Sequence, residues 1–203
     1  MTGRVPSPSV PPAVPAAVTW GLFAAWAVHD TEELLTMSRW GRSARRRLAA
    51  RHPEVPEFVW RALDRPQTHV NVAIGLVGAV MAAAAADGAR TGGRSGFYQA
   101  ALLGFGGHAA THLAQAVAVR GYTPGLLTTP LVVVPYSLWA WLRLRRAGVA
   151  GAGGRLGWAS AALLPVTLGA AHGIAAAVTR GRGRARGITA AAGRSAGPGR
   201  SGP

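Results

Sequence analysis

The sequence contains no cysteine and no lysine. The first absence excludes disulfides and thiolate-bound metals, so any metal site must be built from nitrogen and oxygen donors. The second means that all 22 basic residues are arginine. Acidic residues are scarce as well, 7 against those 22, which leaves a formal net charge of +15. Charged residues of both signs make up only 14% of the chain, well below the roughly 25% of soluble domains. A strongly basic chain is a candidate for nucleic-acid binding. Here, however, the arginines lie in links and tails between apolar runs, where orientation and anionic-lipid signals belong. The sequence therefore predicts anionic lipid headgroups as partners of the arginines, and no nucleic acid as a main partner.

What is abundant is apolar: 49% of the 203 residues are hydrophobic. Several runs approach the length of about 20 residues that a helix needs to cross a bilayer. With no water to satisfy the backbone inside a membrane, such runs must be helical. The prediction is an all-α polytopic membrane helix bundle with about five transmembrane helices. The expected spans are residues 13–37, 67–86, 97–119, 124–142 and 156–179, within one domain over 13–179. Residues 1–12, rich in proline with one arginine (Arg4), read as a flexible N-terminus. Residues 180–203 alternate arginine, glycine and small side chains, and read as a disordered tail. A signal peptide competes for the first run, because Ala25-Trp26-Ala27 loosely resembles a cleavage site. Against it, helical spacing continues past that point. Between the first two spans lies an amphipathic connector, with Ser43–Arg51 and Glu54–Leu63 expected as separate short helices divided at Pro53 and Pro56. Asp64 and Pro66 suggest a helix start with Asp64 as N-cap. His52 reads as a surface residue.

Five spans put the first connector, the Arg120 turn and the C-terminal tail on one side, with 15 of the 22 arginines. The positive-inside rule makes that side cytoplasmic in a multi-pass plasma-membrane protein, with the N-terminus outside and the C-terminus inside.

Ionisable residues within spans are costly and point to function. Three of the seven acidic residues fall between Asp30 and Glu33. His29, Glu32 and Glu33 stand at i, i+3 and i+4, one face of a helix, with Asp30 about 100° away. His108 and His112 share a face of the third span at i and i+4. His29, His108 and His112, with His69, Asn71 and His172, all fall in the cytoplasmic half of the expected membrane. An alternative for each histidine is a simple hydrogen bond to serine or threonine on a neighbouring helix. As a set, His29, Glu33, His108 and His112 are candidate metal ligands, with Glu32 or Glu33 as general base. His69, Asn71, Tyr122 and His172 are candidates for a wider pocket. Imidazoles with one carboxylate suit zinc. Iron fits less well, since di-iron bundles usually supply about four carboxylates.

His29-Asp30-Thr31-Glu32-Glu33 reads His-x-x-Glu-Glu. A second stretch, Gly107-His108-Ala109-Ala110-Thr111-His112, is followed by Arg120-Gly121-Tyr122-Thr123-Pro124-Gly125. Together they resemble the HXXEE family of small bacterial integral membrane proteins, over about Trp20 to Leu142. Similar proteins carry a histidine on this helix, then a Tyr-x-Pro-Gly turn opening the next span; many have asparagine where this chain has His108. The resemblance implies a multi-span membrane protein without specifying its chemistry. The Glu-Glu plus two-histidine constellation is also similar to that of CAAX-type intramembrane proteases, although their following arginine is misplaced here, at Arg39. The expected function is a metal-dependent hydrolase acting on a lipid-like or peptide substrate. Alternatives are a proton-coupled carrier or small channel that uses the His/Glu cluster as a relay, and a non-catalytic membrane scaffold. Thr128 and Thr129, a turn after Gly125, are placed to bond a site from the fourth helix, whereas Tyr122 also suits an interfacial anchor.

Overall fold

A computed structural model describes residues 14–151 and 155–195, with the side chains of 62, 155–161 and 183–195 left aside. The N-terminal stretch expected to be flexible lies outside the described residues. Among the described residues the regular structure is entirely helical: α1 (Ala16–Arg51), α2 (Glu57–Leu63), α3 (Gln67–Arg90), α4 (Gly96–Val119), α5 (Val134–Arg146) and α6 (Arg155–Ser195). A π-helical turn, Thr129–Val133, leads into α5.

As the helical spacing suggested, α1 runs without a break through Ala25-Trp26-Ala27 and on through the basic connector to Arg51. Ser43–Arg51 is therefore its last turns and not a separate helix, since no glycine pair or proline intervenes before Pro53. The second connector helix does form, as α2. Arg45 on α1 clamps the connector, reaching Glu57 Oε1 at 2.6 Å and Asp64 Oδ2 at 3.1 Å. Asp64 is thus held by an arginine instead of capping α3, whose N-cap position is Pro66. The expected fourth span opens later than predicted, because residues 120–128 are spent on a turn that packs into the bundle. Helix α6 continues past Arg180 to Ser195, where a disordered tail was expected. Alanine and arginine are both good helix formers, and they sustain the backbone helix through that stretch. Residues 196–203 lie outside the described residues.

The core is a long wedge between α1, α3, α4 and α5. Val18, Leu22, Trp26, Tyr98, Leu102 and Leu144 are all buried there. Small residues let the helices approach. A Cβ at Gly78 of α3 would sit 2.5 Å from the Trp26 ring on α1, so glycine is what lets the indole lie flat on α3. Tyr98 and Tyr136 both donate to the Val18 carbonyl, tying α4 and α5 to the start of α1.

Among the described residues, two helical segments are long and apolar enough to cross a membrane: α3, and residues Ala162–Arg182 of α6. About five had been expected. The other three segments fall short for legible reasons. Helix α1 carries His29, Asp30, Glu32 and Glu33 mid-length, α4 carries two histidines and two glutamines, and α5 has 13 residues and ends in arginines.

Candidate metal centre

Helices α1 and α4 bring four donors together. One ligand atom from each of His29, Glu33, His108 and His112 lies within 4.8 Å of the others. His29 and His112 are buried, at 1% and 3% exposure. His29 Nε2 is 3.2 Å from His112 Nε2, and Glu33 Oε1 is 3.5 Å from the same His112 nitrogen.

For His29 and His112 the far side of the imidazole decides which nitrogen carries the proton. His112 Nδ1 donates to the Pro124 carbonyl at 2.9 Å, which can only accept. The Thr128 hydroxyl gives its single proton to Glu32 Oε2 at 2.6 Å, and so accepts from His29 Nδ1 at 2.8 Å. The Thr111 hydroxyl lies 2.7 Å from the His108 carbonyl and 3.0 Å from His108 Nδ1, so its one proton can serve either. His29 and His112 are thereby fixed as Nδ1–H tautomers, each with a bare lone pair on Nε2. The short His29–His112 approach is therefore no hydrogen bond: two lone pairs face one another, beside a carboxylate oxygen. An acceptor-only cluster of this kind is satisfied by a cation.

Metric comparison agrees. Two ligands about 2.0–2.1 Å from a tetrahedrally bound zinc stand roughly 3.3 Å apart, close to the 3.2 and 3.5 Å separations here. Those two separations suit a small divalent ion within a set that spans up to 4.8 Å, and outer oxygens hold the His29 and His112 rings with Nε2 turned toward it.

The turn between α4 and α5 supplies most of that outer support. Pro124 offers its carbonyl to His112. Gly125 follows with φ +80°, and a Cβ there would meet His112 Cε1 at 2.6 Å and His29 Cε1 at 2.7 Å. Glycine is required both by the backbone conformation and by the two rings that press on it. Glu32 binds the turn itself. Its carboxylate accepts from the Tyr122 hydroxyl (2.7 Å), the Leu127 amide (3.2 Å), the Thr128 amide (2.9 Å) and the Thr128 hydroxyl (2.6 Å). Burial pushes the Tyr122 phenol above its ordinary value, which keeps it a donor. Trp40 on α1 donates to the Tyr122 carbonyl at 2.7 Å.

Of the residues suggested for a wider pocket, Tyr122 joins the support through Glu32. His69 and His172 pair with each other instead, Nε2 to Nδ1 at 2.9 Å, between α3 and α6, and neither belongs to the four-residue group. Asn71 accepts from Gln67 at 2.9 Å on α3. His52 is exposed and bonds Glu54.

Sequence reasoning passed over Asp30. It is buried, at 9% exposure, and lines a cavity of about 60 Å³ that also touches Glu33 and His108. The Trp26 indole bonds its carboxyl. The available signal was the spacing Trp26, Asp30, Glu33, at i, i+4 and i+7, a helical stripe adjoining the one that carries His29.

The fold and centre define a helical-bundle protein with a His/Glu donor cluster between its first long helix and a later one, locked by a Pro-Gly turn. The family model for proteins of unknown function with an HXXEE motif matches residues 20–140. The chain belongs to that family, and the matched region contains all four donors and the turn behind them. No curated protein and no solved structure matches the chain significantly.

Proposed function

We propose that this protein is a multi-pass membrane protein whose four-donor centre holds zinc and acts as a metal-dependent hydrolase on a lipid-like or peptide substrate. The observation that carries the reading is the meeting of two bare imidazole nitrogens, His29 Nε2 and His112 Nε2, beside Glu33, with His108 in the same four-donor group. A bound zinc would supply Lewis acidity and an activated water. The protein's own residues divide the rest. His29, His108 and His112 are the neutral ligands. Glu33 completes the donor set and, at the cavity edge, is the carboxylate positioned to accept a proton when water or substrate takes its place. Glu32, suggested by sequence as the alternative base, has both oxygens engaged in holding the turn; its role is to position His29 through Thr128.

Five membrane-crossing segments, α1, α3, α4, the π turn with α5, and α6, remain the arrangement we favour. Outward exposure supports it: only 39% of the α3 apolar window and 11% of the α6 window is buried. Large apolar side chains such as Leu131, Val117 and Val166 face outward at 66% exposure or more. Such surfaces suit lipid better than water. The arginines of the α1 end and the α2 connector would then meet anionic headgroups on the cytoplasmic side.

Metal analysis of gently purified protein tests the centre. Near-stoichiometric zinc is expected, lost in Glu33→Ala and His112→Ala. Native protein that carries no metal above background, even after zinc is added back, overturns the reading.

One observation favours a second reading. A continuous chain of hydrogen bonds runs from buried His29 through Thr128 and Glu32 to the Tyr122 hydroxyl, on a residue 39% exposed. Such a chain serves a proton path. Proton flux into liposomes that is lost in Thr128→Val, without bound metal, would select the carrier or channel over the hydrolase.

A further inference from the structure

A second concave feature lies away from the centre. An open groove of about 460 Å³ runs between α1 and α3, lined by Leu34, Leu35 and Arg39 of the first and by Gln67 and Asn71 of the second. None of the four donors lines it, and no carboxylate does. Its amides are oriented by one chain of bonds. Gln67 Nε2 donates to the Leu34 carbonyl at 2.9 Å, an atom that can only accept. The same nitrogen gives its second proton to Asn71 Oδ1 at 2.9 Å. The Asn71 oxygen is thereby committed, and its own N–H groups are left for the groove.

Helix direction puts these groups in order. Trp26 packs on Gly78 and Leu34 meets Gln67, so α1 and α3 run antiparallel. Side chains lean toward the N-terminus of their own helix. Arg39 therefore leans from the cytoplasmic end over Leu35, and Asn71 leans back toward that end from one turn inside α3. Arg39 stands five residues beyond Leu34, about 7.5 Å nearer the cytoplasm at roughly 1.5 Å per residue. The groove thus has a cation at its cytoplasmic lip, a neutral amide donor deeper, and leucine along its flank, with Leu35 68% exposed. Among the described residues no carboxylate pairs with Arg39. Arg42 and Arg46, both exposed, follow it at i+3 and i+7 on the same face of α1.

A phospholipid carries the matching groups in the same order, with phosphate outermost, ester carbonyls beneath and acyl chains below those. The phosphate suits Arg39, an ester carbonyl suits the Asn71 amide, and a chain covers Leu35. A choline group lies outward of the phosphate, where it would meet Arg42 and be repelled; an uncharged head group would not. We propose that this groove is a discrete site for one anionic phospholipid of the cytoplasmic leaflet, its phosphate on Arg39 and its ester region at Asn71. The inference rests on the membrane orientation proposed above and is independent of metal in the centre.

Cell fractionation reads the membrane arrangement first, and protein recovered without detergent overturns both it and the site. Detergent-extracted full-length protein then tests the site alone, by native mass spectrometry with dioleoylphosphatidylglycerol, dioleoylphosphatidylcholine or glycerol phosphate added. One phosphatidylglycerol per chain should be retained, at about tenfold the occupancy of phosphatidylcholine, and millimolar glycerol phosphate should not displace it. Arg39→Gln should lower that retention about tenfold, the worth of one charge-assisted pair, and Asn71→Leu should lower it as well. Arg120→Gln removes the same charge from the same side of the membrane, off the groove, and should leave retention unchanged. Equal retention of the two lipids by the unaltered protein overturns the proposal, and that comparison needs no variant to fold. Equal losses in Arg39→Gln and Arg120→Gln would mean diffuse charge attraction and overturn it too, as would displacement by glycerol phosphate, which would assign the groove to a soluble phosphate.

Discussion

Replacing Gly125 by alanine tests the support of the centre most sharply. The residue sits at φ +80°, where a left-handed conformation costs a non-glycine residue about 1–2 kcal/mol. The new methyl would also lie 2.6 Å from His112 Cε1, 2.7 Å from His29 Cε1 and 2.8 Å from His112 Nδ1. Real methyl carbons do not approach carbon or nitrogen this closely, so both rings must yield or the turn must lift. Either movement stretches the bond from His112 to Pro124 and the bond from His29 to Thr128, each worth about 1 kcal/mol. Together these effects predict a loss of about 3–4 kcal/mol in stability and at least a tenfold loss in zinc affinity. Gly121→Ala, four residues earlier, is the control. A Cβ there would meet nothing nearer than 3.9 Å, and the change should stay within about 0.5 kcal/mol. Thermal unfolding in detergent and zinc titration of the three proteins measure both quantities. If Gly125→Ala melts and binds zinc as the unaltered protein does, the turn does not press on the rings and the account of the centre is wrong.

Thr128→Ser keeps the hydroxyl between His29 and Glu32 and should retain metal; Thr128→Val removes it, frees the His29 tautomer and should lower zinc affinity roughly 10–100-fold, as loss of outer support does elsewhere. Glu33→Gln should remove bound zinc while leaving the turn intact, whereas Glu32→Gln should loosen the turn first, seen as faster hydrogen exchange at Leu127 and Thr128. Because the Tyr122 phenol is shifted upward in the folded protein, its contribution to stability is fully present below the ordinary tyrosine value of about 10. It is lost as the pH rises through the higher folded value, so melting temperature should fall in that alkaline window and Tyr122→Phe should flatten the fall. Since the chain has no cysteine, single cysteines report topology cleanly. Arg94→Cys should react with an impermeant maleimide from outside intact cells and Arg51→Cys should not; the opposite pattern refutes the orientation, and labelling of both refutes the five-span arrangement.

Much of this centre was legible because its donors are periodic. His29 and Glu33, like His108 and His112, stand four residues apart, so each pair shares a helix face whatever the tertiary structure. That α1 and α4 turn those faces toward each other follows from packing, and no spacing along the chain encodes it. The late start of α5 was illegible for a related reason. Pro124 suits the first turn of a helix, yet its carbonyl is taken by His112 and Gly125 is pinned under two rings, so the segment is held as a turn. Asp64 misled in the same way: an N-cap serine or aspartate competes with any arginine that reaches it, and Arg45, 19 residues earlier, does. Counting along the expected spans placed His69 and His172 at the depth of the centre, but they stand on α3 and α6, whose facing surfaces bring them to each other. Depth in the membrane can be counted along a sequence; rotation about the helix axis relative to a neighbour cannot.

The motif needs both of its glutamates because helix geometry gives them different neighbours. Glu33, at i+4 from His29, is rotated by about 40° and faces the same partner helix, hence His112 and the cavity. Glu32, at i+3, is rotated by about 60° to the other flank of His29, and there it meets the turn between α4 and α5. One side chain completes the donor set; the other holds the segment that carries Thr128, Gly125 and the Pro124 carbonyl. Those three act in turn on His29 and His112. A closed circuit results, from His29 to Thr128, Glu32, the turn, His112 and back across the centre. Its members come from α1, α4 and the link after α4, so the centre can assemble only when those three pieces are packed together. The same dependence runs in reverse: an ion held between His29, Glu33 and His112 would fasten α1 to α4 at the point where the buried polar groups make their contact most expensive. An ion in the proposed centre would therefore couple metal binding to helix docking, and its occupation should raise the melting temperature with metal concentration.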